Sequence, residues 1–196
     1  AAVVVPGAVV TPLAGSGLTV ALAADQPFAA TIVSDSGTDV GAQAMIPVLK
    51  LNFTAPADGD VKVTGVTLKR GGISADADMG NVYLFDGDTK LAGSPSIAST
   101  LVAFTNSSGL FTVAKGTTKT VIVKLDLKNN TAAGKTISFL LNAATDVTLG
   151  SGTVSGSFPL TGNTFTTALI TDLGKLAFAN VTPAAAGTVD PGTTGF

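Results

Sequence analysis

Apolar and polar residues alternate along most of this chain. Leu49, Leu51 and Phe53 alternate with Lys50, Asn52 and Thr54; Val121, Val123, Leu125 and Leu127 are interleaved with Thr120, Lys124 and Asp126; Ile137, Phe139 and Leu141 are interleaved with Thr136, Ser138 and Asn142. A period of two sends successive side chains to opposite faces of a strand, so each run has one face for a core and one for water. The helical spacing of apolar residues at i, i+3, i+4 and i+7 is sustained nowhere, and the predicted class is all-β.

Between Val61 and Lys69 the apolar phase moves from Val61 and Val63 to Val66 and Leu68, with Gly65 at the change, which predicts a β-bulge there. Further strands are expected near 17–23, 28–33, 81–86, 97–105, 110–114, 152–160, 163–170 and 175–181, separated by turn signals such as Asp58-Gly59, Asp86-Gly87, Ser108-Gly109 and Asn129-Asn130. About ten short strands at this spacing imply a two-sheet sandwich.

The two ends break the pattern. Residues 1–16 are apolar and β-branched, carry Pro6 and Pro12, and contain no turn that would fold them back as a hairpin; residues 182–196 are rich in Gly, Pro, Ala and Thr and poor in core formers. The organisation read from this is an extended N-terminal arm (1–16), a sandwich (17–181) and a C-terminal linker or edge segment (182–196). Two readings of the arm stand side by side. It adds an edge strand to its own sandwich, or it leaves and completes a sheet in a neighbouring copy, burying Val3, Val5 and Val9, or Val4 and Val10 in the opposite phase. Thirteen residues reach about 43 Å at ~3.3 Å each, enough to lie along another molecule. Such a contact is head-to-tail and propagates.

Composition removes most catalytic chemistry. The 196 residues include no His, Cys or Trp, and Asp accounts for all 13 acids. Without those side chains there is no imidazole base, no thiol nucleophile, no zinc site with N or S ligands and no Glu pair. The expectation is that the chain is not an enzyme. The net charge is −2, from ten Lys and the single Arg70 against the acids, with no basic cluster that would displace counterions from nucleic acid. No apolar run reaches the ~18 residues of a membrane span. Low charge and the lack of cysteine fit an extracellular or cell-surface location, and the start Ala-Ala-Val is what a processed export precursor would leave.

Three Asp-x-Asp units occur: Asp58-Gly59-Asp60, Asp76-Ala77-Asp78 and Asp86-Gly87-Asp88. Carboxylates two apart on a loop can face one hard cation, so Asp76, Asp78, Asp86 and Asp88 are candidate Ca²⁺ ligands. Against this, Asp-Gly is common turn chemistry, and the two pairs flank a strand. No other cofactor is expected. Asn-x-Ser/Thr sequons fall at Asn52, Asn106, Asn129 and Asn180; Asn52 is on the outward phase of its strand, and Asn106 and Asn129 lie in expected hairpin loops, open to glycosylation or simply turn asparagines. The run from Asn129 to Thr136 ends like a phosphate-binding loop but has Asn where the first Gly belongs and precedes a strand, so it reads as a turn. No Ser has a Lys three residues on.

The stretches GLTVALAADQP, MIPVLKLNFTAPADGDVKVTGVTLKR, NVYLFDGDTKL and GLFTVAKGTTKTVIVKLDL resemble the immunoglobulin-like β-sandwich modules of bacterial and archaeal cell-surface proteins, including surface-layer and filament-forming ones, over roughly residues 17–180. The resemblance implies a Greek-key or jelly-roll type of sandwich and an architectural role. Two function classes follow. One is a structural subunit that assembles with copies of itself, as a pilus-like filament joined by donor strands or as a surface-layer tile. The other is an adhesin or carbohydrate-binding module of a larger surface protein, weakened by the lack of Trp and the presence of one Tyr for stacking on sugars.

Overall fold

The computed structural model describes residues 15–36, 41–94 and 97–171. Residues 1–14 of the arm, with Val3, Val4, Val5, Val9 and Val10, lie outside the described residues, as do the expected strand at 175–181, Asn180 and the C-terminal segment 182–196.

Fourteen strands form two sheets among the described residues. The first sheet contains β1 (Gly17–Leu22), β3 (Ile46–Thr54), β5 (Met79–Asp86), β6 (Thr89–Ser94), β9 (Thr118–Leu127) and β12 (Thr153–Ser155), in the order β12-β1-β3-β9-β5-β6. The second runs β11-β4-β10-β14-β2, from β2 (Thr31–Asp35), β4 (Val61–Gly71), β10 (Thr136–Leu141), β11 (Val147–Leu149) and β14 (Phe165–Ile170). Flanking these, β7 (Leu101–Thr105) and β8 (Phe111–Val113) pair with β4, and β13 (Leu160–Thr161) pairs with β10. Most pairs are antiparallel; β1 with β12 and β14 with β2 are parallel.

The alternating residues build the core as their period requires. Leu49, Leu51 and Phe53 from β3 and Val121, Val123 and Leu125 from β9 meet Val63, Val66 and Leu68 from β4 and Ile137, Phe139 and Leu141 from β10 in one buried cluster between the sheets. Phe53 meets Phe111 of the opposite sheet edge to face, centroids 5.2 Å apart at 73°. Burial of each such side chain contributes about 1.5–3 kcal/mol before conformational entropy is set against it. The bulge expected in β4 is present. The β11 partners step from Gly65 to Val63, skipping Thr64, and a Cβ on Gly65 would stand 3.1 Å from Thr148 Oγ1.

Several sequence expectations need correction. The strand expected at 28–33 begins only at Thr31 and runs to Asp35. The span 97–105 holds a strand only from Leu101, preceded by an Ala98–Leu101 bridge. The run 152–160 is divided between β12 and β13, separated by a stretch containing Pro159, which has no N–H for a ladder. Two short strands, β6 and β11, were not expected. The loops at Asn106 and Asn129 are not hairpins: β7 and β8 both lie along β4, so Asn106 sits in a break between collinear edge segments, and the chain at Asn129 crosses from one sheet to the other.

Candidate functional site

The four candidate calcium ligands lie at opposite ends of β5. Asp76 and Asp78 occupy a short 3-10 turn before the strand, and Asp86 and Asp88 the hairpin after it, roughly 25 Å away by strand rise. Three of the four already have protein partners. Asp76 Oδ1 accepts from Arg70 Nε at 2.9 Å and Oδ2 from the Thr100 N–H at 3.0 Å; Asp78 takes Lys135 Nζ at 2.6 Å and the Ala75 N–H at 2.6 Å; Asp86 pairs with Lys119. Asp88 is exposed. No group of three or more acidic side chains converges among the described residues.

The same commitment extends to other acids. Asp25 pairs with Lys50 at 2.7 Å; Asp58 accepts the Ser16 N–H; Asp60 accepts the Lys115 N–H; Asp126 takes Tyr83 Oη at 2.7 Å and the Met45 N–H at 2.8 Å; Asp146 accepts the Asn142 and Ala143 N–H groups. These contacts lower the Asp25 carboxyl through Lys50 and the Asp58 carboxyl through Ser16, and they raise the Tyr83 phenol through Asp126. The Thr100 N–H, then Arg70, hold Asp76 below the ordinary carboxylate range. The shifts of Asp25, Asp58, Asp76 and Tyr83 all lead away from neutrality, where an acid or base would be poised. The carboxylates act as ties for loops and strand ends.

The sequons are placed differently from one another. Asn52 lies opposite Thr120 and accepts its hydroxyl at 2.7 Å, so its amide is engaged on the sheet face. Asn106 is exposed and closes a local turn with the Ser108 N–H at 3.0 Å; Asn129 is exposed on the crossover loop.

Two features were not legible as sites in the sequence. The first is a row of hydroxyls. Ser155, Thr19, Thr54 and Thr118 stand opposite one another on β12, β1, β3 and β9, with Oγ–Oγ distances of 3.1 Å for Thr19–Ser155 and 2.8 Å for Thr54–Thr118. Shallow grooves on either side extend it to Thr153 and to Thr112, Thr117 and Thr120. No single strand reveals this row, because the register between strands creates it.

The second is the loop 24–30 that follows β1. Phe28 is 90% exposed and is flanked by exposed Leu22, Ala24, Ala29 and Ala30. The loop is nevertheless fixed. The Gln26 amide donates to the carbonyls of Ala23 at 3.1 Å and Lys50 at 2.5 Å and accepts the Lys50 N–H at 3.1 Å, while Asn163 Nδ2 donates to the Pro27 carbonyl at 2.8 Å. The main-chain N–H and C=O of Phe28 and Ala29 have no hydrogen-bond partner among the described residues. The residues Pro27-Phe28 gave a signal, an aromatic directly after a proline where alternation stops, but that stretch also reads as the start of a strand.

The root of the arm is at the other end of β1. Gly15 N–H donates to the Asp60 carbonyl at 2.8 Å, and Ser16 N–H to the Asp58 carboxylate, so the chain enters β1 beside the 58–60 turn. Because β1 is antiparallel to β3, with Thr19 opposite Thr54 and Leu22 opposite Leu51, the arm root and the Phe28 loop lie at opposite ends of the strand.

The chain is thus a two-sheet β-sandwich in which most described carboxylates tie loops and strand ends. No protein-family model matches it, and no curated protein matches it. Among solved structures, the seventh ScaB type I cohesin from Pseudobacteroides cellulosolvens is similar over 76% of this chain and 97% of the cohesin, at 14% identity and a TM-score of 0.25, a likeness too distant to say anything of this chain. No helix among the described residues is long and apolar enough to cross a membrane.

Proposed function

We propose that this chain is a non-enzymatic structural subunit that assembles with copies of itself at the cell surface, its N-terminal arm completing a sheet in the next copy to form a pilus-like filament. One observation carries the reading. Among the described residues both sheets are continuous ladders from Gly17 to Ile170, so a neighbour's arm would extend a sheet at an edge and not fill a gap inside it. An apolar, β-branched stretch such as residues 1–13 is an aggregation hazard wherever no partner receives it. The commitment of most described carboxylates to lysines, Arg70, Tyr83 and main-chain donors supports the non-enzymatic part.

Electron microscopy of the full chain beside a variant lacking residues 1–13 tests this. Filaments from the full chain and dispersed folded monomers from the deletion are expected, as is loss of filaments on replacing Val3, Val5 and Val9, or Val4 and Val10, with Asp. Native-looking fibres from the deletion variant would overturn the donor role; ordered sheets would favour a surface-layer tile.

The hydroxyl row favours a second reading, a carbohydrate-binding module that takes an extended glycan across the strands. Against it, Tyr83 and Phe85 on the same face are covered by Lys90 and Lys124, whose Nζ atoms lie 5.5 and 4.1 Å from the ring centroids, leaving no open stacking platform. Retention of the chain on polysaccharide, abolished by Thr54→Val with Thr118→Val, would support this reading.

A further inference from the structure

We propose that the receiving site for a neighbour's arm is the clamped loop 24–30, with Phe28 as its anchor; this deepens, and rests on, the arm-exchange reading above. A ring 90% exposed on a surface held by four hydrogen bonds from Gln26 and Asn163 is an aromatic already ordered for contact. Rigidity of this kind removes most of the ordering cost that binding otherwise carries. Aromatic anchors of this sort dominate the energetics of many interfaces.

Three further observations fit an extended apolar occupant. The N–H and C=O groups of Phe28 and Ala29, without a hydrogen-bond partner among the described residues, offer the main-chain donors and acceptors that an added strand requires. Beside them is an open trough of about 490 Å³ with an apolar side of Ala24, Pro27, Phe28 and Pro47 that can take aliphatic side chains, its other lining residues, among them Asp25 and Lys50, being polar. Residues 1–13 carry no charge, and Asp25, the one acid of the loop, is already paired with Lys50. Nothing in the loop repels an uncharged arm.

The placement completes the case. The arm leaves from the Gly15 end of β1 and the loop stands at the Leu22 end, so joining one to the other in the next copy is heterologous and open-ended rather than closed.

The chain has no cysteine, which allows a direct test in the full-length protein. Two single-cysteine variants are mixed under assembly conditions and oxidised: Val5→Cys, or Val4→Cys for the opposite phase, with Ala29→Cys. The comparator pairs the same arm variant with Thr89→Cys on β6, an edge of the first sheet. Heterodimers with Ala29→Cys about tenfold in excess of those with Thr89→Cys are expected, together with a loss of assembly of about tenfold or more in Phe28→Ser at unchanged melting temperature. Cross-linking to Thr89→Cys at an equal or higher yield, with Phe28→Ser assembling normally, overturns the loop as receiving site and leaves arm exchange standing. No heterodimer at either position, with filaments persisting after deletion of residues 1–13, overturns arm exchange itself.

Discussion

Gln26 pairs with the main chain of Lys50 as a strand residue would, its side-chain amide both donating to the Lys50 carbonyl and accepting the Lys50 N–H. The amide therefore extends the ladder next to β1 with a side chain, at the point where the backbone departs into the loop 24–30.

Replacing Gln26 with Ala breaks both bonds; the Lys50 carbonyl keeps the Ala23 N–H at 3.1 Å, but the part-buried Lys50 N–H loses its partner. A stability loss of about 1–3 kcal/mol is expected, visible as a lower urea midpoint with unchanged slope. Hydrogen exchange at the Lys50 amide should accelerate with it. Unchanged protection at Lys50 would show that the clamp is not maintained in solution.

Arg70 is buried at the end of β4, with Nε on Asp76 and Nη1 on the carbonyl and hydroxyl of Ser74. Arg70→Met removes the cation and leaves a part-buried carboxylate and a buried carbonyl behind, an effect of roughly 1–3 kcal/mol by chemical denaturation. The double variant with Asp76→Asn should recover part of the loss, since no uncompensated charge then remains.

Asp76 also sets a pH dependence. The Thr100 N–H and Arg70 lower its folded pKa, so the stability it contributes is present above the unfolded value near 3.9 and is lost as pH falls through the lower folded value. Asp76→Asn is expected to be less stable at neutral pH and to lose less on acidification below about pH 4, so the two urea-midpoint curves converge. Parallel curves would remove Asp76 from the acid response.

Calcium is expected to leave the melting temperature unchanged. Asp76, Asp78 and Asp86 already engage protein donors, and β5 separates Asp76 and Asp78 from Asp86 and Asp88. A folded-state ligand would raise stability by mass action, so a rise when excess Ca²⁺ replaces a chelator would show a cation site after all.

The strongly alternating strands were legible because their period is itself the physical cause of burial. Leu49, Leu51 and Phe53 had to share a face, and the phase change at Gly65 had to be absorbed by a bulge. Other elements were hidden for equally physical reasons. β6 is Thr-Lys-Leu-Ala-Gly-Ser, an edge whose polar residues blunt any alternation, and β11 is three residues long. Phe28 looked like the first residue of a strand because an aromatic after a turn normally turns inward; its exposure depends on Gln26 and Asn163, partners 2 and 135 positions away by sequence number. The Asp-x-Asp spacing told which carboxylates were close in the chain but not which end of β5 each would occupy.

One further consequence concerns force. Gly15 and the loop 24–30 are the two ends of a single strand, β1, which is held between β3 and β12 near the border of its sheet. A pull applied between them runs through the covalent backbone of one strand, about 20 Å long at ~3.3 Å per residue. The remaining thirteen strands lie off that line of tension, so a tensile load would pass the molecule by without peeling its core apart.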